Sequence, residues 1–195
     1  MKKRDATLTR NTKETKIETT VNLDGPFETR IETGLPFLNH VMEAMACHGG
    51  FGLEFKATGD LEVDPHHLIE DCGIVLGQAI AKALDNYNVI QRAGFFSFPM
   101  DGSLVTVALD LCGRPNLIWN VELDSLPIGG VDLKLFREYY KALADNLKAT
   151  IHIQLVYKDN DHHAVEAIAK AFGRALREAI RPTNAVMSTK GIINA

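Results

Sequence analysis

The chain has 195 residues and a formal net charge of −4, from 21 Lys and Arg against 25 Asp and Glu. That length holds one large domain or two small ones packed together, and an ordinary apolar content predicts a buried core. With no long basic stretch, duplex nucleic acid is excluded as a natural partner, while local basic pockets for a small anion stay open. Cys47, Cys72 and Cys112 form no C-x-x-C pair. An odd count at these spacings speaks against a disulfide framework or a structural zinc site and fits a reducing compartment. Met1-Lys2-Lys3-Arg4 leads into polar residues rather than the apolar stretch of a signal peptide. No run approaches the roughly 20 apolar residues of a membrane span. The reading is a soluble cytoplasmic protein, or the mature form of an organellar one.

In chain order, Ile17, Thr19, Val21 and Leu23 alternate with polar residues, which predicts a strand. Asp24-Gly25 is a turn signal, and residues 28–33 are read as the returning strand of a hairpin. A helix over about 37–47, a strand over about 52–63 and a second helix over about 65–85 follow. Residues 86–103 are assigned to a linker. The pattern then starts again: a strand over 104–111, a turn at Cys112-Gly113-Arg114-Pro115, a return over 116–123, a helix over about 132–147, a strand over 149–157 and a helix over about 161–181. Ile69, Leu76, Ile80 and Leu84 make an apolar stripe on one long helix, and Val165, Ala169, Phe172, Leu176 and Ile180 do so on the other. The expected fold class is α+β: two duplicated β-hairpin/helix/strand/helix halves, residues 1–88 and 89–195, with helices packed on one face of each sheet, together one catalytic unit.

The repeat is visible in the residues themselves. Asp64-Pro65-His66-His67-Leu68-Ile69-Glu70 aligns with Asn160-Asp161-His162-His163-Ala164-Val165-Glu166 at an offset of 96 residues, and Gly77 falls on Gly173. Upstream, Phe37 to Met42 aligns with Leu135 to Tyr140 at an offset of 98, which places His40 on Glu138.

Asp64 suits a helix N-cap and Pro65 a first helical position. His66 and Glu70, four apart, then share a helix face and can hold one ion between them. His67 lies about 100° further round the axis and is free to serve a second ion. His162, Glu166 and His163 repeat the arrangement. If the two motif helices face each other, a His/Glu pair from one half is completed by the neighbouring His of the other, with His40 and Glu138 able to add one ligand each. Imidazole and carboxylate without thiolate suit Mn²⁺, Fe²⁺ or Zn²⁺ in an open, catalytic site. A single His-His near a helix start is ordinarily a surface or capping feature; two copies in register within a larger repeat change that balance. His152, in a strand-like stretch, is read as structural. His48, beside Gly49-Gly50, either lines a ligand site or ends a helix.

Beyond these motifs, Leu35-Pro36-Phe37-Leu38-Asn39-His40, Ala57-Thr58-Gly59-Asp60-Leu61, His66-His67-Leu68-Ile69-Glu70-Asp71, Gly113-Arg114-Pro115, Asp161-His162-His163 and Ser188-Thr189-Lys190-Gly191 run in order over nearly the whole chain. Together they resemble the imidazoleglycerol-phosphate dehydratase family. The resemblance implies dehydration of D-erythro-imidazole-glycerol phosphate to imidazole-acetol phosphate in histidine biosynthesis. It further implies two Mn²⁺ per active site, sites at subunit interfaces, and a homo-oligomer of 24 subunits built from trimers. By similarity one ion takes His40, His67, His162 and Glu166, and the other takes His66, Glu70, His163 and Glu138. Substrate contacts carry over to Glu14, His40, His48, Arg92, Arg114, Lys170, Ser188, Thr189 and Lys190. Glu14 is the first candidate for acid/base work, with Glu70 or a metal-bound water as rivals. The cations form a phosphate clamp, since guanidinium forks match phosphate oxygens. Three positions depart from the pattern: Glu138 stands where some members carry histidine, Pro65 where an acidic residue is common, and Asn39 where aspartate is expected to hydrogen-bond the ligand imidazole. Two other classes fit the motifs alone: a two-metal hydrolase, which would release phosphate, and a non-catalytic metal-binding or storage protein.

Overall fold

The computed structural model describes residues 3–85, 89–124 and 127–184. The first half runs β1 (Asp5–Asn11), β2 (Thr15–Asn22), β3 (Thr29–Glu32), α1 (Pro36–Gly49), β4 (Gly52–Gly59) and α2 (His66–Leu84). The second runs β5 (Ala93–Met100), β6 (Ser103–Asp110), β7 (Asn116–Asn120), α3 (Leu135–Leu147), β8 (Thr150–Tyr157) and α4 (Asp161–Ala179). Each half forms a four-stranded sheet, ordered β1-β2-β4-β3 and β5-β6-β8-β7. The duplication therefore extends to the strand order. The class is α+β with two similar halves, as the sequence indicates.

Two expectations are corrected. Residues 28–33 do not return against β2, and 116–123 do not return against the preceding strand. β3 and β7 instead pair in parallel with β4 and β8, while β2 and β6 pair antiparallel with those same strands. The turn at Asp24-Gly25 does reverse the chain. However, β4 arrives after α1 and takes the inner position, because its buried Leu53, Phe55 and Ala57 gain more from two neighbours than the short charged Thr29-Arg30-Ile31-Glu32 would. The segment read as a linker contains β5, which forms a hairpin with β6. Pro99 disguises it. At a sheet edge a proline costs no ladder hydrogen bond, and β5 is an edge strand.

Helix α2 lies on β1 and β2 and α4 on β5 and β6, so each sheet is covered on one face. The helices pair across the halves: α1 packs on α4, and α2 on α3. The apolar stripes of α2 and α4 are buried, and they join one continuous core with both sheets. The halves are thus interlocked rather than juxtaposed. The same crossing recurs in both helix pairs: Gly173 meets the carbonyl of Met45, and its repeat partner Gly77 meets that of Leu143.

In this core the hydroxyls of Tyr139 and Tyr140 are buried with no hydrogen-bond partner among the described residues. Burial raises both phenolic pKa values. An unpaired buried hydroxyl costs about 1–3 kcal/mol. Tyr139→Phe or Tyr140→Phe should therefore raise stability by about 1 kcal/mol in denaturant unfolding; a loss of that size would show that the hydroxyl has a partner.

Candidate metal centre and anion pocket

Helix α1 begins at Pro36, whose fixed φ suits a first turn. Its entry is held by Asn39, whose Oδ1 accepts from the Thr33 N–H at 3.0 Å and the Thr33 hydroxyl at 2.6 Å. At this position, where the sequence departs from the expected aspartate, the side chain secures the loop before the helix. Helix α4 is capped by Asn160, which accepts from the His163 N–H at 2.8 Å. At the start of α2, Asp64 accepts from the His66 N–H at 2.7 Å.

The α1–α4 packing brings one group together. Glu166 Oε2 lies 3.1 Å from His40 Nε2 and 3.3 Å from His162 Nε2. One ligand atom from each of these residues falls within 4.8 Å of the others. The Phe37 ring walls the cluster, 5.2 Å from the His162 ring. Two imidazoles and a carboxylate, without thiolate, fit a divalent first-row ion. Glu166 is buried. Burial pushes its pKa up, but hydrogen bonds from Lys170 and His40 outweigh that and hold it below the ordinary value.

The other predicted ligands are not gathered in the same way. His66 Nε2 lies 3.7 Å from Glu70 Oε2 on α2. Glu138, at the position equivalent to His40, accepts from Arg137 at 2.9 Å and lines a cleft of about 640 Å³. The two motif helices do not face each other within the chain, since α2 packs on α3 and α4 on α1. The cross-completion expected from the sequence is therefore not made inside one subunit.

His67 and His163 have a shared arrangement of their own. Nδ1 of His67 lies 3.0 Å from Asp60, and Nδ1 of His163 lies 2.9 Å from Asp159. A carboxylate on Nδ1 fixes the ring and leaves Nε2 for another partner. The Asp60 hydrogen bond, aided by the charge of Glu14, raises the His67 pKa despite desolvation. Asp60 and Asp159 were missed as functional positions by sequence reasoning, although Asp60 stands within one of the quoted motifs and Asp159 stands four residues before His163.

One turn along α4 from Glu166, Lys170 Nζ is 2.8 Å from Glu166 Oε1 and sits over the Phe98 ring. Arg174 follows on the same face, stacked on Phe96. His48, at the end of α1, packs edge-on against Phe98 at 5.1 Å. Desolvation, then the charges of Lys170 and Arg174, lower its pKa. His48 is therefore a neutral donor beside two cations, an arrangement suited to an anion. Arg174 and Phe98 were not singled out from the sequence; Arg174 follows Lys170 by four residues, which was the available signal.

Arg92 forks onto Asp110 at 2.6 and 2.9 Å. Arg114 is exposed, with its carbonyl tied by the Thr150 hydroxyl at 2.8 Å. Glu14 is exposed in the turn between β1 and β2. His152 lies exposed on β8, away from the helices. Ser188, Thr189 and Lys190 lie outside the described residues. No helix among the described residues is long and apolar enough to cross a membrane.

The family model for imidazoleglycerol-phosphate dehydratase matches residues 33–176. The curated dehydratase of Geobacter sulfurreducens is 47% identical over 191 residues, covering 96% of this chain and 98% of its own. That of Desulfitobacterium hafniense is 46% identical over 196 residues, covering 99% and 100%. A crystal structure of the Pyrococcus furiosus enzyme superposes with a TM-score of 0.84 at 36% identity, covering 95% of this chain and 100% of that one. With near-complete coverage on both sides, the chain belongs to the imidazoleglycerol-phosphate dehydratase family, hydro-lyases of histidine biosynthesis.

Proposed function

We propose that the chain dehydrates D-erythro-imidazole-glycerol phosphate to imidazole-acetol phosphate with two Mn²⁺ per active site. The observation that carries the reading is the His40, His162 and Glu166 cluster one helical turn from Lys170. One group suits a metal that can hold an imidazole nitrogen, and the next suits a phosphate. Bound Mn²⁺ would supply Lewis acidity, making the substrate ring a better electron acceptor.

His40, His162 and Glu166 would hold one ion, and His66, Glu70 and Glu138 the other. His67 and His163 would complete these sets from neighbouring copies. Support comes from their Asp-fixed rings, whose Nδ1 atoms are engaged by Asp60 and Asp159 and whose Nε2 atoms are the ones left to bind a metal. In this reading the sites lie at subunit interfaces, in a homo-oligomer of 24 subunits built from trimers, as the family resemblance implies; a fully active monomer would sink that part of the reading.

The reaction breaks the C–O bond beside the ring and removes a proton from the next carbon, so a proton must also reach the departing hydroxyl. Glu14, whose charge acts on the His67 ring, would do this work, with Glu70 as the rival. Lys170, Arg114, Arg92, Ser188, Thr189 and Lys190 are proposed to bind the phosphate. His48, neutral in its cationic surroundings, would donate to it without adding charge.

The test is turnover of imidazole-glycerol phosphate after chelation and again after Mn²⁺ is restored. Ketone should form only with the metal present, and no inorganic phosphate should be released. Phosphate release would replace this reading with the two-metal hydrolase. Bound Mn²⁺ with neither product would leave a metal-binding protein.

A further inference from the structure

Asp71 follows Glu70 on α2 and is 7% exposed. A buried carboxylate is costly unless paired. This one accepts from both Arg10 Nη1 and the Thr15 hydroxyl. Arg10 and Thr15 stand at the two ends of the turn between β1 and β2, which carries Glu14. Within that turn the Thr12 hydroxyl accepts from the N–H groups of Glu14 and Thr15 at 3.1 and 2.9 Å. The Glu14 carbonyl accepts from the Asp60 N–H at 3.1 Å, and the Asp60 carboxylate holds His67. Glu14 is thus tied inside its turn, to the residue that orients His67, and through Arg10 and Thr15 to the helix that carries the metal motif.

The duplication supplies an internal control. In the second half Ala167 stands at the place of Asp71, one residue after Glu166. Arg10 pairs with Ile17 and Phe98 with Val105, the third residues of β2 and β6. Phe98 therefore takes the place of Arg10, and Ser103 that of Thr15. The second hairpin closes through Asp101-Gly102, whereas the first uses the longer Thr12-Lys13-Glu14. The same sheet and helix form there without an ion pair between strand and helix at this place, buried Glu166 pairing instead with Lys170 along its own helix, so the fold does not require the Arg10–Asp71 pair. Replacing such a pair by apolar residues commonly leaves a fold intact. What the first half has and the second lacks is the longer turn with Glu14.

We propose that Arg10, Thr15 and Asp71 are positioning residues that hold the Glu14 carboxylate in register with His67. This rests on the reading of Glu14 as an acid/base group. The brace has no need to touch substrate; it sets where a reacting group stands, and a displacement of 1 Å can cost about 100-fold in rate.

The experiment compares Asp71→Ala, and the paired change Arg10→Phe with Asp71→Ala, in the wild-type and Glu14→Gln backgrounds of the Mn²⁺-loaded enzyme. The paired change copies residues that the second half already tolerates, which guards against simple misfolding. In the wild-type background kcat should fall about 10- to 100-fold, with KM, bound Mn²⁺ and oligomer unchanged. In the Glu14→Gln background the same changes should cost less than about twofold. An unchanged kcat, a loss of metal, or an equal fold-loss in both backgrounds overturns the brace. Near-normal turnover of Glu14→Gln itself removes the reading of Glu14, and the brace falls with it. A strong loss in Glu14→Gln that Asp71→Ala multiplies further leaves Glu14 standing and removes the brace alone.

Discussion

Glu166→Gln is expected to lower turnover on the order of 10³-fold or more, with loss of metal from the α1–α4 cluster. Glu166 is the one side chain that reaches His40, His162 and Lys170 together. The amide keeps the volume and removes the charge. The cluster would then be left with two neutral imidazoles, which bind Mn²⁺ weakly without an anionic oxygen. Lys170 would also lose its carboxylate. Metal analysis of the purified variant checks the first consequence and single-turnover kinetics the second. Full metal content with normal turnover would show that the cluster is not a metal site. A pH signature accompanies this. The folded-state pKa of Glu166 lies below its ordinary value of 4.5, so in metal-free protein its stabilisation is complete above that value. It is lost as pH falls through the depressed one. Acid unfolding of Glu166→Gln should lack this contribution.

Gly173→Val should destabilise the protein by about 3 kcal/mol. A Cβ at Gly173 would stand 2.4 Å from the Met45 carbonyl and 2.8 Å from the Gly49 nitrogen. Both are backbone atoms of α1, so relief requires the helices to separate. His40 rides on α1, while His162 and Glu166 ride on α4. Separation therefore weakens metal affinity as well as stability. Gly77→Val is the matched control. It drives the same kind of clash, with the Leu143 carbonyl at 2.8 Å, but between α2 and α3. It should lower the unfolding midpoint, measured at the same protein concentration, while leaving the α1–α4 cluster able to bind Mn²⁺. Equal metal loss in both variants would mean that general unfolding, not the α1–α4 crossing, governs the site.

The candidate site residues were legible because their relations are local. His66 with Glu70 and His162 with Glu166 follow from the rise of an α-helix, and the 96-residue offset shows in the letters. The burial of the α2 and α4 stripes follows from helical periodicity in the same way. The strand partners were not legible. A turn signal reports that the chain reverses but not that a later strand will enter the gap, and a proline on an edge strand looks like a break. The partner of Asn39 was not legible either, because Thr33, which donates to its Oδ1, lies in the preceding loop.

The sequence by itself determined the duplication, the α+β class, the paired imidazole and carboxylate motifs, and membership of a dehydratase family. The first three depend on spacing along the chain or on short-range backbone geometry, and the last on the resemblance of the quoted motifs. Only the tertiary structure decided that α1 packs on α4 and α2 on α3, which within one chain brings His40 to His162 and Glu166 while His67 and His163 pair with Asp60 and Asp159. That choice is made where helix backbones approach closely enough to need glycine, Gly173 against Met45 and Gly77 against Leu143, residues far apart in the chain, and local periodicity carries no record of it.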